Sequence, residues 1–270
     1  MGKFLYNLIA VLKQPFKLVF PTKIFGSTNF EQKKAILAFN HVSGWDPLVW
    51  TIWTSSRARF LYKSQFDRNP FLKFIFKALE YVPINRGEVD LVAIKKCMSL
   101  LQDDKIFGVF PEGTRNKEID RLQEIKVGTA MLAIKTKSPI RPIYIFDRTK
   151  AFCKNYFLVG DEFTLDEYYG KQLTKQVLAE ATTKVAYYMD KTRQELINLL
   201  KEKGITHRKR RRNEIIQREQ FIINKEGINK EKTVREVIQH QAVKELAKEY
   251  ELICNDKVDK NQADTQDNNN

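Results

Sequence analysis

The stretch AILAFNHVSGWDP, residues 35–47, joins an apolar run to a histidine and a carboxylate that are five positions apart. Its first five residues are all apolar and predict a buried strand. Pro47 is typical of the first turn of a helix. His41 and Asp46 therefore lie between a strand and a helix, which is where α/β folds place their ligand groups.

His41 is the candidate general base. A neutral imidazole with a pKa near about 6.5 can take a proton from a hydroxyl group at neutral pH. It needs a partner on its other ring nitrogen, and Asp46 is the nearest carboxylate in the sequence. A continuous helix would separate the two side chains by roughly 140°, so the pair requires a turn, for which Ser43 and Gly44 provide flexibility. The alternative is that Asp46 only caps the following helix.

A second candidate segment, FPEGTRN at residues 110–116, also follows an apolar run. Gly113 allows backbone N–H groups to approach a ligand, Thr114 offers a hydroxyl, and Arg115 has a planar fork of donors that suits a phosphate. Glu112 cannot bind a phosphate, but its carboxylate can accept hydrogen bonds from a glycerol hydroxyl or brace an arginine. The alternative is an ordinary polar turn after a strand.

Two further segments show the same strand-end pattern. Residues 81–87, YVPINRG, are an extended apolar run that closes on Arg86. Residues 138–145, SPIRPIYI, contain prolines that discourage a helix, and Arg141 interrupts their apolar pattern. Four such motifs in this order, with His-x4-Asp first and Pro-Glu-Gly-Thr-Arg third, resemble the glycerolipid acyltransferase family. The closest branch is that of the 1-acylglycerol-3-phosphate (lysophosphatidic acid) acyltransferases, and the resemblance covers roughly residues 4–200.

The resemblance implies a role for each motif residue. His41 deprotonates the hydroxyl of the acyl acceptor, and Asp46 orients His41. The residues that it implies hold the glycerol phosphate are Arg86, Glu112, Gly113, Thr114 and Arg115. The fourth motif is associated with the acyl-binding side, but Arg141 departs from its apolar pattern and leaves open a second phosphate contact. Lys126, which precedes the start of a predicted helix, is a further candidate for the phosphate site, with a plain surface lysine as the alternative.

Composition and pattern together predict an α/β fold, a layered mixed sheet flanked by helices. The chain has 270 residues, of which 43% are apolar, so a sizeable core is expected. The predicted strands are Ala35–Phe39, Phe60–Tyr62, Tyr81–Ile84, Ile106–Phe110, Ile143–Phe146 and an edge strand, Tyr156–Val159. The predicted helices are Phe71–Leu79, Leu91–Leu101, Val127–Lys135 and a long closing helix, Thr174–Leu200.

Three regions are predicted along the chain. Residues 1–30 form a basic, aromatic-rich amphipathic segment without any acidic residue, which is typical of helices that lie in a lipid headgroup layer. The alternative is a helix packed on the core. Residues 31–200 form the α/β domain. Residues 201–270 form a charged helical extension with a disordered polar tail.

The sequence predicts a peripheral protein at the cytoplasmic face of a membrane, with an anionic membrane surface as one partner. No apolar run approaches the roughly 18–20 residues that span a bilayer, and three scattered cysteines indicate a reducing compartment. No metal site is indicated by residue spacing, and no metal or cofactor is implied by the resemblance.

The predicted reaction moves a fatty acyl group from a thioester, either acyl carrier protein or acyl-coenzyme A, to the 2-hydroxyl of 1-acylglycerol 3-phosphate. Glycerol 3-phosphate or another lysolipid is the alternative acceptor. A rival function of a different class is a basic scaffold that binds membranes or nucleic acid, suggested by the net charge of +14 and the arginine run at residues 207–212. That rival leaves the four motifs unexplained, and the sequence lacks the common nucleic-acid-binding signatures.

Overall fold

The computed structural model describes residues 14–28, 34–85, 90–118 and 121–208. The chain divides into two units, residues 1–206 and 207–270, and the first unit is described below. Arg86, the first thirteen residues of the predicted membrane segment and the predicted C-terminal extension beyond residue 208 lie outside the described residues.

The described part of the first unit is a seven-stranded sheet with helices on both faces, which confirms the predicted mixed α/β class. The sheet order is β1-β7-β6-β2-β5-β3-β4. The strands are β1 Thr22–Phe25, β2 Ala35–Phe39, β3 Arg59–Lys63, β4 Val82–Ile84, β5 Ile106–Val109, β6 Ile140–Ile145 and β7 Asn155–Val159. The helices are α1 Asp46–Trp53, α2 Pro70–Ala78, α3 Leu91–Gln102, α4 Gly128–Thr136 and α5 Lys175–Glu202, with 3-10 turns at Ser64–Arg68 and Asp166–Tyr168.

Strand direction brings the motif residues to one edge. The five strands β2 to β6 run parallel to one another, so their carboxyl ends share one edge of the sheet. β7 is antiparallel to β6, and β1 is parallel to β7, so these two strands begin at that same edge. The segments that follow β2, β5 and β6 are therefore neighbours in space although they are far apart in the sequence.

The central strand β2 is buried on both faces, which explains its unbroken apolar run. Ile36 and Ala38 pack into a cluster with Leu101 of α3, Ala133 of α4 and Val185 of α5.

The other face of β2 carries an aromatic cluster. The Phe39 ring lies 5.1 Å from the ring of Trp50 on α1 and 5.5 Å from that of Phe60 on β3, measured between ring centroids. A strand sandwiched in this way holds the residue after it in a defined place, because both of its faces are fixed by packing.

Two sequence predictions were wrong at the β1 side of the sheet. Residues Thr22–Phe25 were assigned to the membrane-associating segment, but they form the edge strand β1 and pair in register with β7, Thr22 opposite Asn155. The strand Tyr156–Val159 was predicted as an edge, but β1 covers it. The folded domain therefore begins before residue 31. Pairing with a distant strand, rather than local pattern, makes these four residues a strand.

A glycine in β5 offers a test of this packing. Gly108 lies opposite Phe60 in the register of β3 and β5, and a Cβ atom at Gly108 would lie 2.2 Å from the Phe60 ring. We expect Gly108→Ala to lower the free energy of unfolding by about 1–3 kcal/mol, because the added methyl group overpacks the core. Gly128→Ala, at the start of α4, is the matched control, since nothing lies within 4 Å of its Cβ position. It should leave stability unchanged or raise it by about 0.4–1 kcal/mol. Equal denaturation midpoints for the two variants would contradict this account.

Candidate active site

His41 and Asp46 form a hydrogen-bonded pair at the carboxyl edge of β2. His41 Nδ1 lies 3.0 Å from Asp46 Oδ2, and the two side chains are 13% and 0% exposed. Because an ionised carboxylate only accepts hydrogen bonds, Nδ1 carries the proton, and Nε2 of the neutral imidazole has a free lone pair. The pair therefore has the protonation pattern that a general base needs.

The turn between the two residues is held by the same carboxylate. Oδ2 of Asp46 accepts the backbone N–H groups of Val42, at 3.0 Å, and of Ser43, at 2.7 Å. Asp46 is the first residue of α1, and Trp45 takes the N-cap position without a side-chain cap. An N-cap accepts hydrogen bonds from residues that follow it, whereas Asp46 accepts them from residues that precede it. The alternative that Asp46 only caps the helix is therefore wrong.

A threonine from another segment completes the environment of Asp46. Thr149, in the loop after β6, donates its hydroxyl to Asp46 Oδ1 at 2.6 Å. Both side chains are buried. The end of β6, directly before this loop, is kept in place by Asn40, whose side-chain amide exchanges two hydrogen bonds with the backbone of Ile145, at 3.0 and 2.7 Å. Asp46 thus has partners on both of its oxygens.

Glu112 connects the two motif segments. Its Oε1 accepts the backbone N–H of His41 at 3.0 Å, and its Oε2 accepts the backbone N–H of Gln123 at 3.1 Å. Burial raises the pKa of Glu112, and the hydrogen bonds from these two N–H groups oppose that rise. A second link runs beside it, because the Asn116 N–H donates to the His41 carbonyl at 2.5 Å. The contact of Glu112 with a substrate hydroxyl stays a prediction, and the geometry gives Glu112 a positioning role.

Phe110 supports the imidazole from the side. The centroids of the His41 and Phe110 rings are 4.1 Å apart, and the ring planes are inclined by 31°. Phe110 also contacts Phe39 and Phe60 of the aromatic cluster. Ring contact and the Asp46 bond together restrict rotation of the His41 side chain.

The segment after Glu112 presents polar groups to solvent. Gly113 has a φ of +68°, a backbone conformation that favours glycine, and Thr114 and Arg115 are exposed beside it. The ion pairs found within the described ranges do not include Arg115.

Lys126 is anchored next to this turn. Its backbone N–H donates to the Pro111 carbonyl at 2.8 Å, and its Nζ pairs with Glu124 Oε2 at 2.7 Å. The structure therefore brings together five of the six residues predicted for the phosphate site, Glu112, Gly113, Thr114, Arg115 and Lys126, whereas Arg86 lies outside the described residues.

Arg141 lies away from this edge. It pairs with Glu162, the Nη2 to Oε2 distance being 3.2 Å, and it lies opposite Leu37 in the sheet register. Leu37 is four residues before His41 in the sequence, about 13 Å along a strand at roughly 3.3 Å per residue. The geometry does not favour Arg141 as a second phosphate contact.

The described residues contain no group of three or more His, Cys, Asp or Glu side chains that could hold a metal ion. In the same part of the chain, no helix has the length and apolar character required to cross a membrane.

Residues 22–146 match the protein family called Acyltransferase, and this stretch contains the His41–Asp46 pair and the Glu112–Arg115 segment. This part of the chain is similar to the acyltransferase family. The predicted resemblance is thereby confirmed at the level of the family.

Two curated relatives match part of the chain. The 1-acyl-sn-glycerol-3-phosphate acyltransferase of Borreliella burgdorferi is 27% identical over 135 residues, which cover 49% of this chain and 54% of that protein. The chloroplastic 1-acyl-sn-glycerol-3-phosphate acyltransferase of Arabidopsis thaliana is 30% identical over 121 residues, which cover 43% of this chain and 33% of that protein. The chain thus spans about half or less of the length of these relatives.

The acyltransferase fold is also present in a solved structure. The crystal structure of the 1-acyl-sn-glycerophosphate acyltransferase of Thermotoga maritima superposes with a TM-score of 0.55 at 18% identity, covering 73% of this chain and 81% of that one. At this level of identity the likeness concerns the mixed sheet with its flanking helices.

Sequence reasoning missed two buried polar residues of this acyltransferase site. Asn40 precedes His41 directly, and Thr149 lies just beyond the stretch that matches the family. The only local signal for Thr149 is a polar group after an apolar strand, the same pattern that marked the four motifs. Its partner Asp46 is 103 positions away, so only the adjacency of β2 and β6 brings the two together.

Proposed function

We propose that this protein transfers a fatty acyl group from an acyl thioester to the 2-hydroxyl of 1-acylglycerol 3-phosphate, which gives phosphatidate. The observation that carries the proposal is the 3.0 Å bond between His41 Nδ1 and Asp46 Oδ2. It leaves Nε2 as the proton acceptor in a partly exposed side chain. The names of both curated relatives agree with this acceptor.

In the proposed reaction, His41 Nε2 takes the proton of the acceptor hydroxyl as its oxygen attacks the thioester carbonyl carbon. The new C–O bond forms, the C–S bond breaks, and the thiolate takes the proton from the imidazolium. No covalent acyl-enzyme is formed. Asp46 keeps Nδ1 protonated in the ground state and stabilises the positive charge that His41 acquires during the transfer.

The acceptor phosphate is proposed to bind at the turn after Glu112. The hydroxyl of Thr114, which lies 3.2 Å from Gln123 Oε1, and the guanidinium of Arg115 are exposed donors on one short turn, and Lys126 adds a charge beside it. The N–H group of Gly113 donates to the Phe110 carbonyl at 2.9 Å, so Gly113 serves the site through the conformation of the turn. Charge-assisted hydrogen bonds to phosphate are stronger than neutral ones. Arg86 remains part of this proposal on the sequence motif alone.

The donor is proposed to be acyl carrier protein or acyl-coenzyme A. Both are anionic, and the chain carries a net charge of +14, which favours association with either. Glycerol 3-phosphate or another lysolipid is the alternative acceptor. A basic scaffold, the rival of a different class, has no need of a buried carboxylate that orients a histidine.

The lipid acceptor places the enzyme at a membrane. We propose a peripheral position on the cytoplasmic face, with the basic segment at residues 1–30 in contact with anionic lipid. Residues 14–19 of this segment are helical, and Phe16 and Leu18 are exposed on it. Residues Thr22–Phe25 of this segment form β1, so the lipid contact is proposed for the residues before that strand.

The role of the base is tested by His41→Ala, which should lower kcat by about 10²- to 10⁴-fold while the protein stays folded, as is typical when a general base is lost. Asp46→Asn should also be strongly impaired, because a neutral amide does not stabilise the positive charge that His41 acquires during the transfer. Asp103→Asn, an exposed carboxylate after α3, is the matched control and should retain full activity. Retention of more than about a tenth of wild-type kcat by folded His41→Ala would refute the assignment.

The phosphate contact is tested by Arg115→Ala. We expect the KM for lysophosphatidate to rise by about tenfold or more, while the donor KM changes little, because the lost contact is worth about 1.5–3 kcal/mol. Arg115→Lys retains the charge, so its KM for lysophosphatidate should lie between those of wild type and Arg115→Ala. Lys95→Ala, on the exposed side of α3, controls for the loss of one positive charge. An effect on the donor KM alone would move Arg115 to the thioester side.

A further inference from the structure

Four large apolar side chains are exposed on three segments near the candidate site: Phe16, Leu18, Trp45 and Phe152. Leu18 is 81% exposed and Phe152 is 80% exposed. Side chains of this size are normally at least partly covered in a folded domain, and exposed apolar surface that is grouped marks an interaction site.

Contacts within the structure bring together the three segments that carry these residues. The Phe152 N–H donates to the carbonyl of Val19 at 2.6 Å, which joins the loop after β6 to the segment before β1. The ring of Phe20 lies 5.3 Å from that of Trp45, which joins the same segment to the loop before α1. The three segments therefore meet around residues 19 and 20.

The backbone of Phe152 supports a functional reason for its exposure. Its φ is +55°, in the left-handed region that non-glycine residues rarely adopt. The left-handed backbone conformation and the exposure of an aromatic ring to solvent are each unfavourable. Residues held in such a conformation are frequent at functional sites.

The surface around these side chains is basic. Lys17, Arg148, Lys150 and Lys154 lie on the same segments, and the last three are exposed. Residues 14–28 and 148–155 contain no aspartate or glutamate. An apolar patch with a purely cationic surround matches the boundary of an anionic bilayer, where apolar side chains enter the acyl region and lysines meet lipid headgroups.

The surface also lies at the edge of the sheet that holds His41. β1 and β7 begin at this edge, so the segments before them are next to the carboxyl end of β6. Trp45 directly precedes Asp46, and the loop that contains Phe152 also contains Thr149, the partner of Asp46.

We propose that Phe16, Leu18, Trp45 and Phe152, with Lys17, Arg148, Lys150 and Lys154, form a lipid-docking surface that seats the catalytic edge on an anionic membrane. This surface extends the proposed membrane contact from the N-terminal segment to the β6–β7 loop. The inference rests on the proposed function in one respect, since an enzyme that acts on a lipid must reach a membrane.

Sedimentation with vesicles tests the surface. The full-length triple variant Phe152→Ser, Lys150→Gln, Lys154→Gln is compared with the matched control Val92→Ser, Lys95→Gln, Lys96→Gln, which removes an exposed valine and two exposed lysines from α3. Vesicles contain equal parts of phosphatidylcholine and phosphatidylglycerol. We expect the partition coefficient of the loop variant to fall by about tenfold or more, and that of the control by less than about twofold. Wild-type binding should also weaken with added salt.

An activity measurement separates docking from catalysis. The loop variant should lose activity on acceptor in vesicles and keep it on a monomeric short-chain lysophosphatidate. Vesicle binding needs neither donor nor acceptor, so it remains a valid test if the proposed reaction is wrong, and His41→Ala should bind vesicles as wild type does. Equal vesicle binding by the loop variant and wild type overturns the proposal. Loss of activity only with acyl carrier protein as donor would instead assign the surface to that acidic protein.

The hydrogen bond at Asp46 carries a second inference independently. Oδ2 of Asp46 accepts hydrogen bonds from Nδ1 of His41 and from the backbone N–H groups of Val42 and Ser43. Its Oδ1 accepts the hydroxyl of Thr149 at 2.6 Å. The geometry points to Thr149 as a positioning residue: it stabilises charge on the oxygen of Asp46 that does not face the imidazole, and thereby limits how strongly the carboxylate attracts the His41 proton.

Thr149→Val removes the hydroxyl at nearly constant volume, and Thr149→Ser retains it. We expect Thr149→Val to lower kcat by about tenfold, because Asp46 loses a hydrogen bond that fixes the carboxylate beside His41, with little change in either KM. Thr149→Ser should recover most of the activity.

The pH profile distinguishes positioning from a purely structural role. Two charged groups contact His41 among the described residues. Asp46 is hydrogen-bonded to the His41 ring, and Glu112 accepts the backbone N–H of His41. With one donor fewer, the Asp46 carboxylate favours the protonated imidazole more strongly, so the acid limb of kcat/KM should move to higher pH in Thr149→Val. If the acid limb does not move and Thr149→Val and Thr149→Ser are equally impaired, Thr149 has only a structural role and the inference is overturned.

Discussion

The fully buried carboxylate of Asp46 is the interaction on which the rest of the site depends. A charge removed from water is unfavourable unless hydrogen bonds replace its hydration. Here the replacement comes from the imidazole of His41, two backbone N–H groups of the connecting turn and the hydroxyl of Thr149. The hydrogen bonds that stabilise the Asp46 charge also fix the turn, the tautomer of the imidazole and the loop after β6. The site therefore has its geometry because the buried carboxylate needs these donors.

Glu112 has a corresponding place on the other side of His41. Its two oxygens accept backbone N–H groups from the segment after β2 and from the segment around Gln123. Two buried carboxylates thus flank the histidine, one bonded to its ring and one to its backbone. Burial raises the pKa of Glu112, but its contacts are with the backbone, so its effect on the reaction is exerted through the position of His41.

The order of strands explains why these contacts are possible. β2 lies between β5 and β6, and the three are parallel, so the segments after them meet at one edge. His41 follows β2, Glu112 follows β5 and Thr149 follows β6. Reversal of β7 and β1 brings the exposed apolar side chains Leu18 and Phe152 to the same edge. The candidate base His41 and the exposed apolar side chains are thereby adjacent without any long connection between them.

The sequence by itself determined the α/β class, the central strand and the two motif segments, because these depend on local patterns: an apolar run, a proline after it, and polar groups where the run ends. It also indicated that Asp46 serves His41, since the pair is separated by a short turn. Only the tertiary structure decided that Thr22–Phe25 is a strand, that Glu112 binds backbone N–H groups and that Thr149 reaches Asp46. Each of these depends on partners far away in the sequence, and strand pairing and buried hydrogen bonds leave no pattern in the local residues that make them.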